Sequence, residues 1–358
     1  MDISVHLLDP SKRHAKPVDE KNLVFGRVFT DHMFKVDFQE DKGWHDARIV
    51  PYAPLNLDPA AMVLHYGQGI FEGLKAYRRS NGEIWLFRAG HNCERLNRSA
   101  KRMCMPEIDP VFQMQAIEKL VAADRDWVPH SLGSSLYIRP TMIAVEPHLG
   151  VRPASEYLYF IITGPVAAYY AEGFNPVKIY VDEEYVRTVR GGLGDAKTMA
   201  NYASSLYAAE IAKKKGYTQV LWLDGVERRY IDEVGTSNIF FRIGDELVTP
   251  PLCGSILPGI TRDSVIMLAR YWGITVTERR ITIDEVIEKA RSGELKEIFA
   301  SGTAAVISPV GEICYRDKTC KISDGAVGEL AHRLYDEILG IQYGQRKDIF
   351  GWMKRVEV

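Results

Sequence analysis

The sequence predicts an α+β protein of two domains, with mostly antiparallel sheets and flanking helices. Three observations lead there. Short β-prone runs are joined by tight turns, which makes antiparallel sheet and argues against a doubly wound parallel fold. Capped amphipathic segments of helical period are interspersed among those strands rather than alternating with each one. The length of 358 residues gives two mid-sized domains at about 150 residues each. Apolar residues at 46% and charged residues at 26% supply real cores and exclude global disorder.

Each element has its own signal. Asn81-Gly82 lies between two β-prone runs and predicts a hairpin with a mirror-image turn, since both central residues of such a turn need positive φ. Leu96, Ala100 and Met103 then recur at helical spacing until Pro106, and a second apolar helix covers 113–121. The longest uncharged stretch, 157–171, is too short for a bilayer, which needs about 20 residues, and Gly164-Pro165 interrupts it. It reads as a buried strand followed by a linker. The turn-forming composition there sets the boundary: a smaller domain over 1–164, a linker over 165–175 and a larger domain over 176–358. In the larger domain a helix over 202–215 is closed by Gly216 and another over 261–272 by Gly273, while Thr282-Ile283-Asp284-Glu285 has capping-box form. Strands at 219–223 and 230–231 turn through Asp224-Gly225, and strands at 239–241 and 246–248 through Gly244-Asp245.

Several function classes drop out. The net charge of −2 gives no bulk attraction to nucleic acid or anionic membrane, so neither is expected as a partner. Five cysteines without a CxxC pair, and an N-terminus that turns polar by Asp9 without an apolar run, read as a reduced, cytoplasmic protein. The nine histidines form no HxH or HExxH pair, so no metal site is expected. The glycine clusters at 67–73 and 191–195 lack GxGxxG spacing and do not open a βαβ unit.

The chemistry gathers around one lysine and several anion-binding elements. In Gly192-Leu193-Gly194-Asp195-Ala196-Lys197 a glycine-rich loop delivers Lys197 one turn before a helix. The positive end of that helix dipole favours the neutral amine that Schiff-base chemistry requires. Leu257-Pro258-Gly259-Ile260-Thr261 runs into a helix whose first amides form a natural phosphate cradle. The amides of Ser301-Gly302-Thr303-Ala304, between two strands, can converge on an anion. Arg95, Arg98 and Arg102 share a helix face on which two are solvated and one can clamp a phosphate. The segment Ile231-Asp232-Glu233-Val234-Gly235-Thr236-Ser237-Asn238 puts a carboxylate at the end of a hairpin strand.

These stretches, with His65-Tyr66-Gly67-Gln68-Gly69-Ile70-Phe71-Glu72-Gly73-Leu74-Lys75-Ala76 and Tyr137-Ile138-Arg139-Pro140, make the chain closely resemble the branched-chain-amino-acid aminotransferases over nearly its whole length. The resemblance implies the two-domain pyridoxal-phosphate fold type IV and reversible transamination of Leu, Ile and Val with 2-oxoglutarate, giving glutamate. It implies that Lys197 bonds pyridoxal 5′-phosphate and carries the substrate proton. Glu233 pairs with the pyridine nitrogen, Tyr202 with the ring oxygen, and Arg95, Ile260, Thr261 and Thr303 hold the phosphate. The substrate carboxylate goes to Tyr137 and the amides of Thr303 and Ala304. The side-chain pocket is lined by Tyr66, Phe71 and Tyr169, with Arg139 for the γ-carboxylate and Val151 from the second subunit of a homodimer. One departure stands out. Mammalian members carry a redox CxxC after the threonine turn, whereas this chain reads Ala305-Val306-Ile307-Ser308, so thiol regulation of that kind is expected to be missing. Cys314 and Cys320 can face one another across a hairpin, but a reducing compartment disfavours their disulfide.

Overall fold

The computed structural model describes residues 1–167 and 174–357. The chain divides into two compact units, one of Met1–Tyr169, Ala196–Met199 and Leu339–Val358, the other of Tyr170–Asp195 and Ala200–Ile338. Each is built on a nine-stranded sheet.

In the first unit the strands are β1 (Ser4–Val5), β2 (His32–Gln39), β3 (Gly43–Pro51), β4 (Gly69–Phe71), β5 (Leu74–Arg78), β6 (Ile84–Phe87), β7 (Ser135–Ala144) and β8 (Glu156–Val166). Their order is β1-β3-β2-β8-β7-β5-β6, with β4 also on β7 and the C-terminal strand Met353–Arg355 closing the β6 edge. All of these pairings are antiparallel except β1 with β3. Side chains alternate between faces. Leu136, Ile138 and Met142 of β7 join Leu74, Ala76 and Ile161 in the core, where helices α2 (Ala89–Arg102) and α3 (Pro110–Ala123) contribute Cys93, Leu96, Ile117 and Leu120. The register therefore turns Tyr137, Arg139 and Thr141 to the opposite face, with their cross-strand partners Lys75 and Phe71.

The register runs unbroken from β4 to β5 along β7, with Phe71 opposite Thr141 and Leu74 opposite Ile138. Between these pairs Glu72 lies opposite Pro140, which has no ladder N–H of its own, and Glu72 N donates to Pro140 O at 2.8 Å.

The second unit holds β9 (Val177–Asp182), β10 (Gln219–Leu223), β11 (Ile231–Val234), β12 (Asn238–Ile243), β13 (Glu246–Thr249), β14 (Thr275–Glu278), β15 (Leu295–Gly302), β16 (Val306–Tyr315) and β17 (Lys318–Lys321). The order is β11-β10-β9-β16-β15-β12-β13-β14, with β17 on β16. Here β9 lies parallel to both β10 and β16, and β13 parallel to β14. Its core packs Ile179, Leu221, Phe241, Ile298 and Ile313 against Ile283 and Val286. The capping box forms as expected, with Thr282 Oγ1 accepting from Glu285 N at 3.0 Å.

Four local expectations are corrected. Gly82 alone carries positive φ in the first hairpin, at +85°. Gly82 N donates to Arg79 O and Arg79 N to Glu83 O, so the turn is an ordinary one over Ser80-Asn81 followed by a left-handed glycine. The link after β10 is a longer loop, organised by Asp224, whose carboxylate accepts N–H groups from Val226, Glu227, Arg229 and Tyr230. The helix expected over 202–215 is two, Met199–Ala203 and Leu206–Lys214, because the Ser204 and Ser205 hydroxyls bond back to the carbonyls of Asn201 and Tyr202. Cys320 stands opposite Ile313, and Cys314 opposite Thr319, so the two thiols point to opposite faces; all five cysteines are free.

Candidate active site

Lys197 belongs to the first unit and is gripped through its backbone from two sides. Its N–H donates to Ser99 Oγ on α2 at 2.9 Å, and its carbonyl accepts from Phe71 N on β4 at 3.0 Å. Thr198 extends the grip by a bridge to Ile70 and a 2.8 Å bond from its hydroxyl to Gly69 O. A Cβ on Gly69 would meet Met199 Sδ at 2.7 Å, so any larger residue there must displace the Met199 side chain. The lysine amine comes to rest 5.1 Å from the centroid of the Phe71 ring.

On the same sheet face Arg139 lies 4.8 Å from the Phe71 centroid and donates from Nη2 to the Tyr137 hydroxyl at 3.1 Å. Its Nε is buried without a hydrogen-bond partner, an unmet demand that suits an anion. The Tyr137 hydroxyl occupies the space that a Cβ on Gly73 would fill. Lys75, directly across from Tyr137, is buried, and burial pulls its ammonium down to about 8.

Behind β4, Glu72 and Arg95 form an ion pair 1% and 3% exposed. Arg95 Nε donates to one carboxylate oxygen at 2.7 Å and Nη2 to the other at 2.8 Å. Burial pushes the Glu72 carboxyl up, but the Arg95 charge and hydrogen bonds, then the Lys197 charge, outweigh it and hold the group below its ordinary value. Arg98 and Arg102 are exposed, so of the three arginines only Arg95 turns inward.

In the second unit Glu233 sits on β11, buried, accepting from Arg187 Nη1 at 2.7 Å and from Asn238 Nδ2 at 3.0 Å. Arg187 stands 5.8 Å from the centroid of the Tyr202 ring. Asn238 also donates to Leu257 O at 3.0 Å, and its side-chain oxygen lies where a Gly259 Cβ would be. One amide side chain thus ties Glu233 to the start of the helix Ile260–Tyr271, whose N-cap Gly259 offers no side-chain bond to the first amides. The Thr303-Ala304 turn joins β15 to β16 and ends at Val306 with φ +62°. A β-branched residue is strained in that region. The nearby Ser301 hydroxyl is buried without a partner.

The class IV aminotransferase family model matches residues 69–313. The chain belongs to that family. Aminotransferases of this class depend on pyridoxal 5′-phosphate. The Bacillus subtilis relative called branched-chain-amino-acid aminotransferase 2 is 56% identical over 97% of this chain and 95% of its own, and a Mycobacterium tuberculosis branched-chain-amino-acid aminotransferase is 50% identical over 93% and 92%. Among solved structures, the Escherichia coli branched-chain amino acid aminotransferase superposes with a TM-score of 0.76 at 27% identity, covering 91% of this chain and 99% of that one. The Thermobaculum terrenum branched-chain amino acid aminotransferase, in its pyridoxal-phosphate holo-form, gives 0.74 at 26%, covering 92% and 99%.

The aminotransferase's anticipated residues are placed unevenly. Lys197, Phe71, Tyr137 and Arg139 gather on one face of the first unit, with Arg95 behind β4. Tyr202 and Glu233 lie near Arg187 in the second, and Asn238 joins Glu233 to the segment leading into Ile260 and Thr261. Thr303 and Ala304 form the turn described above. Tyr66 and Val151 are exposed, Val151 at 88%. Tyr169 lies outside the described residues. Glu72, Arg187 and Asn238 were not anticipated. The Asn92/Arg95 spacing of three, which puts both side chains on one helix face, was the available signal for a shared partner; nothing in sequence separation linked Arg187 to Glu233. The donor set fits the cofactor: an amine and a buried guanidinium in one unit, and in the other a paired carboxylate, a phenol and a helix start whose N-cap is a glycine.

Proposed function

We propose that the enzyme reversibly transfers the amino group of Leu, Ile or Val to 2-oxoglutarate, with Lys197 as the catalytic base and acid. Arg95, Ile260, Thr261 and Thr303 would hold the cofactor phosphate, Glu233 its ring nitrogen and Tyr202 its ring oxygen. When bound, pyridoxal 5′-phosphate supplies the electron sink that accepts the pair left at the substrate α-carbon. Lys197 Nζ takes the α-proton and holds it for return. Its backbone grip limits the movement of that nitrogen, which serves orientation. Phe71 and Tyr137 give aliphatic side chains an apolar wall, and Arg139 gives glutamate's γ-carboxylate a cation at the edge of the same wall. Tyr137 with the Thr303 and Ala304 amides would receive the α-carboxylate. Exposed Val151 and Tyr66 are consistent with a pocket completed in a homodimer, checked by light scattering of the purified protein.

The observation that carries this reading is Arg139 stacked on Phe71 and bonded to Tyr137 beside the fixed lysine. One surface then serves both a charged and an apolar side chain. Purified protein with 2-oxoglutarate and a panel of L- and D-amino acids should form glutamate from L-Leu, L-Ile and L-Val. Lys197→Ala should lose both turnover and the visible cofactor absorption; an active, yellow variant refutes the assignment.

A further inference from the structure

We propose that Glu72 is a positioning residue that sets the orientation of Arg95 toward the cofactor phosphate; this rests on the reading of Arg95 as a phosphate ligand. Four donors converge on the Glu72 carboxylate: Arg95 Nε and Nη2 at 2.7 and 2.8 Å, Asn92 Nδ2 at 2.8 Å and Gly73 N at 3.1 Å. That matches the acceptor capacity of a carboxylate. Asn92 and Gly73 thus hold the Glu72 carboxylate independently of Arg95.

Its location follows from the chain. The register along β7 is unbroken here and Glu72 N bonds to Pro140 O, so Glu72 points to the same face as Ile70 and Leu74, the face on which α2 packs. There Asn92 and Arg95, three apart, meet it together. The contact is bidentate through the Nε–Nη2 edge, which fixes the plane of the guanidinium and with it the direction of Nη1. A buried, bidentate counter-charge helps to settle both the charge and the rotamer of an arginine 3% exposed. The same carboxylate feels the Lys197 charge, and Cys93 and Tyr159 also face it. Lysine and arginine are thus tied to one buried anion.

The test separates phosphate recognition from general damage. Apoenzymes of the wild type, Glu72→Gln, Glu72→Asp and Arg95→Lys are titrated with pyridoxal 5′-phosphate and with pyridoxal, which lacks the phosphate, by quenching of tryptophan fluorescence. Glu72→Asp keeps the buried charge and so protects folding while withdrawing the carboxylate. Both Glu72 variants should weaken pyridoxal 5′-phosphate about tenfold, as expected for loss of one charge-assisted contact, and leave pyridoxal within about twofold. Equal loss of both ligands would mean a merely structural role and overturn the proposal. A wild-type ratio in the Glu72 variants, with a collapsed ratio in Arg95→Lys, overturns the role of Glu72 and keeps that of Arg95. An unchanged ratio in Arg95→Lys removes the reading on which both depend.

Discussion

Glu72–Arg95 in the first unit and Arg187–Glu233 in the second are both buried ion pairs, with all four side chains no more than 4% exposed, yet their roles are exchanged. In the first the arginine is the proposed ligand and the carboxylate its support; in the second the carboxylate is the proposed ligand and the arginine supports it. The first contact is bidentate, and the carboxylate accepts four donors. The second runs through a single guanidinium nitrogen, Nη1, and Arg187 Nε is buried without a partner. A phosphate carries its own charge and finds help from amides elsewhere, so its arginine must above all be aimed. A ring nitrogen offers one atom, so its carboxylate must above all stay ionised, and one nearby positive charge does that.

If this contrast is right, the second pair is the more fragile. Arg187→Met removes a counter-charge from a buried carboxylate, which typically costs about 3–5 kcal/mol, and urea melts should show it. Turnover should fall as well, since a carboxylate driven toward its neutral form no longer holds a proton on the ring nitrogen. Equal losses in Arg187→Met and Glu72→Gln would erase the distinction. Next in size is the specificity of the first unit. Arg139→Met should lower kcat/KM for glutamate by about a hundredfold, roughly 2–3 kcal/mol for a charged hydrogen bond, and leave leucine within a few-fold. A parallel fall for both donors would show that Arg139 merely shapes Tyr137.

The same contrast marks what the sequence revealed. Lys197, Arg95, Glu233 and the 257–261 loop stand in contiguous motifs, where a lysine after glycines or a helix after Pro-Gly announces its chemistry locally. The β5–β6 and β12–β13 hairpins were legible for the same reason. The supports were not, because they are long-range: Arg187 and Glu233 are 46 residues apart and Glu72 and Arg95 are 23 apart, and an isolated acid or arginine has many bland partners. The parallel placement of β9 between β10 and β16 was hidden likewise, since parallel neighbours are joined by long crossovers and not by tight turns. The broken helix at 204–205 was missed because serine hydroxyls compete with the backbone in a way that periodicity does not register.

A smaller effect tests whether glycine geometry, and not charge alone, shapes the first unit. Gly73→Ala puts a methyl group where the Tyr137 hydroxyl sits, so that hydroxyl must move, and kcat/KM should drop about tenfold. Tyr137→Phe removes the clashing atom. In the Tyr137→Phe background the alanine should therefore cost little, and full additivity of the two changes would mean that the hydroxyl lies elsewhere.

The neighbour of Glu233 gives the finest discrimination. Asp232 adjoins it on β11, so the two side chains point to opposite faces. Glu233 faces Arg187, whereas Asp232 is raised to about 6, because burial outweighs its bond from Ser255 and the more distant charges of Arg280 and Arg190, with Asp224 adding to the rise. A carboxyl at about 6 in the fold and 3.8 in the unfolded chain contributes stability that is fully present below pH 3.8 and lost as pH rises through 6. Two pK units correspond to about 3 kcal/mol, which partial solvent access reduces to about 2. Asp232→Asn keeps an acceptor for Ser255 and has no charge to bury. Its stability relative to the wild type should therefore climb by about 2 kcal/mol between pH 4 and 7 and stay level above that. The measurement is a series of urea melts at fixed salt. A difference that is flat across this window would mean that Asp232 is well solvated when ionised, and the two faces of β11 would then differ in packing only.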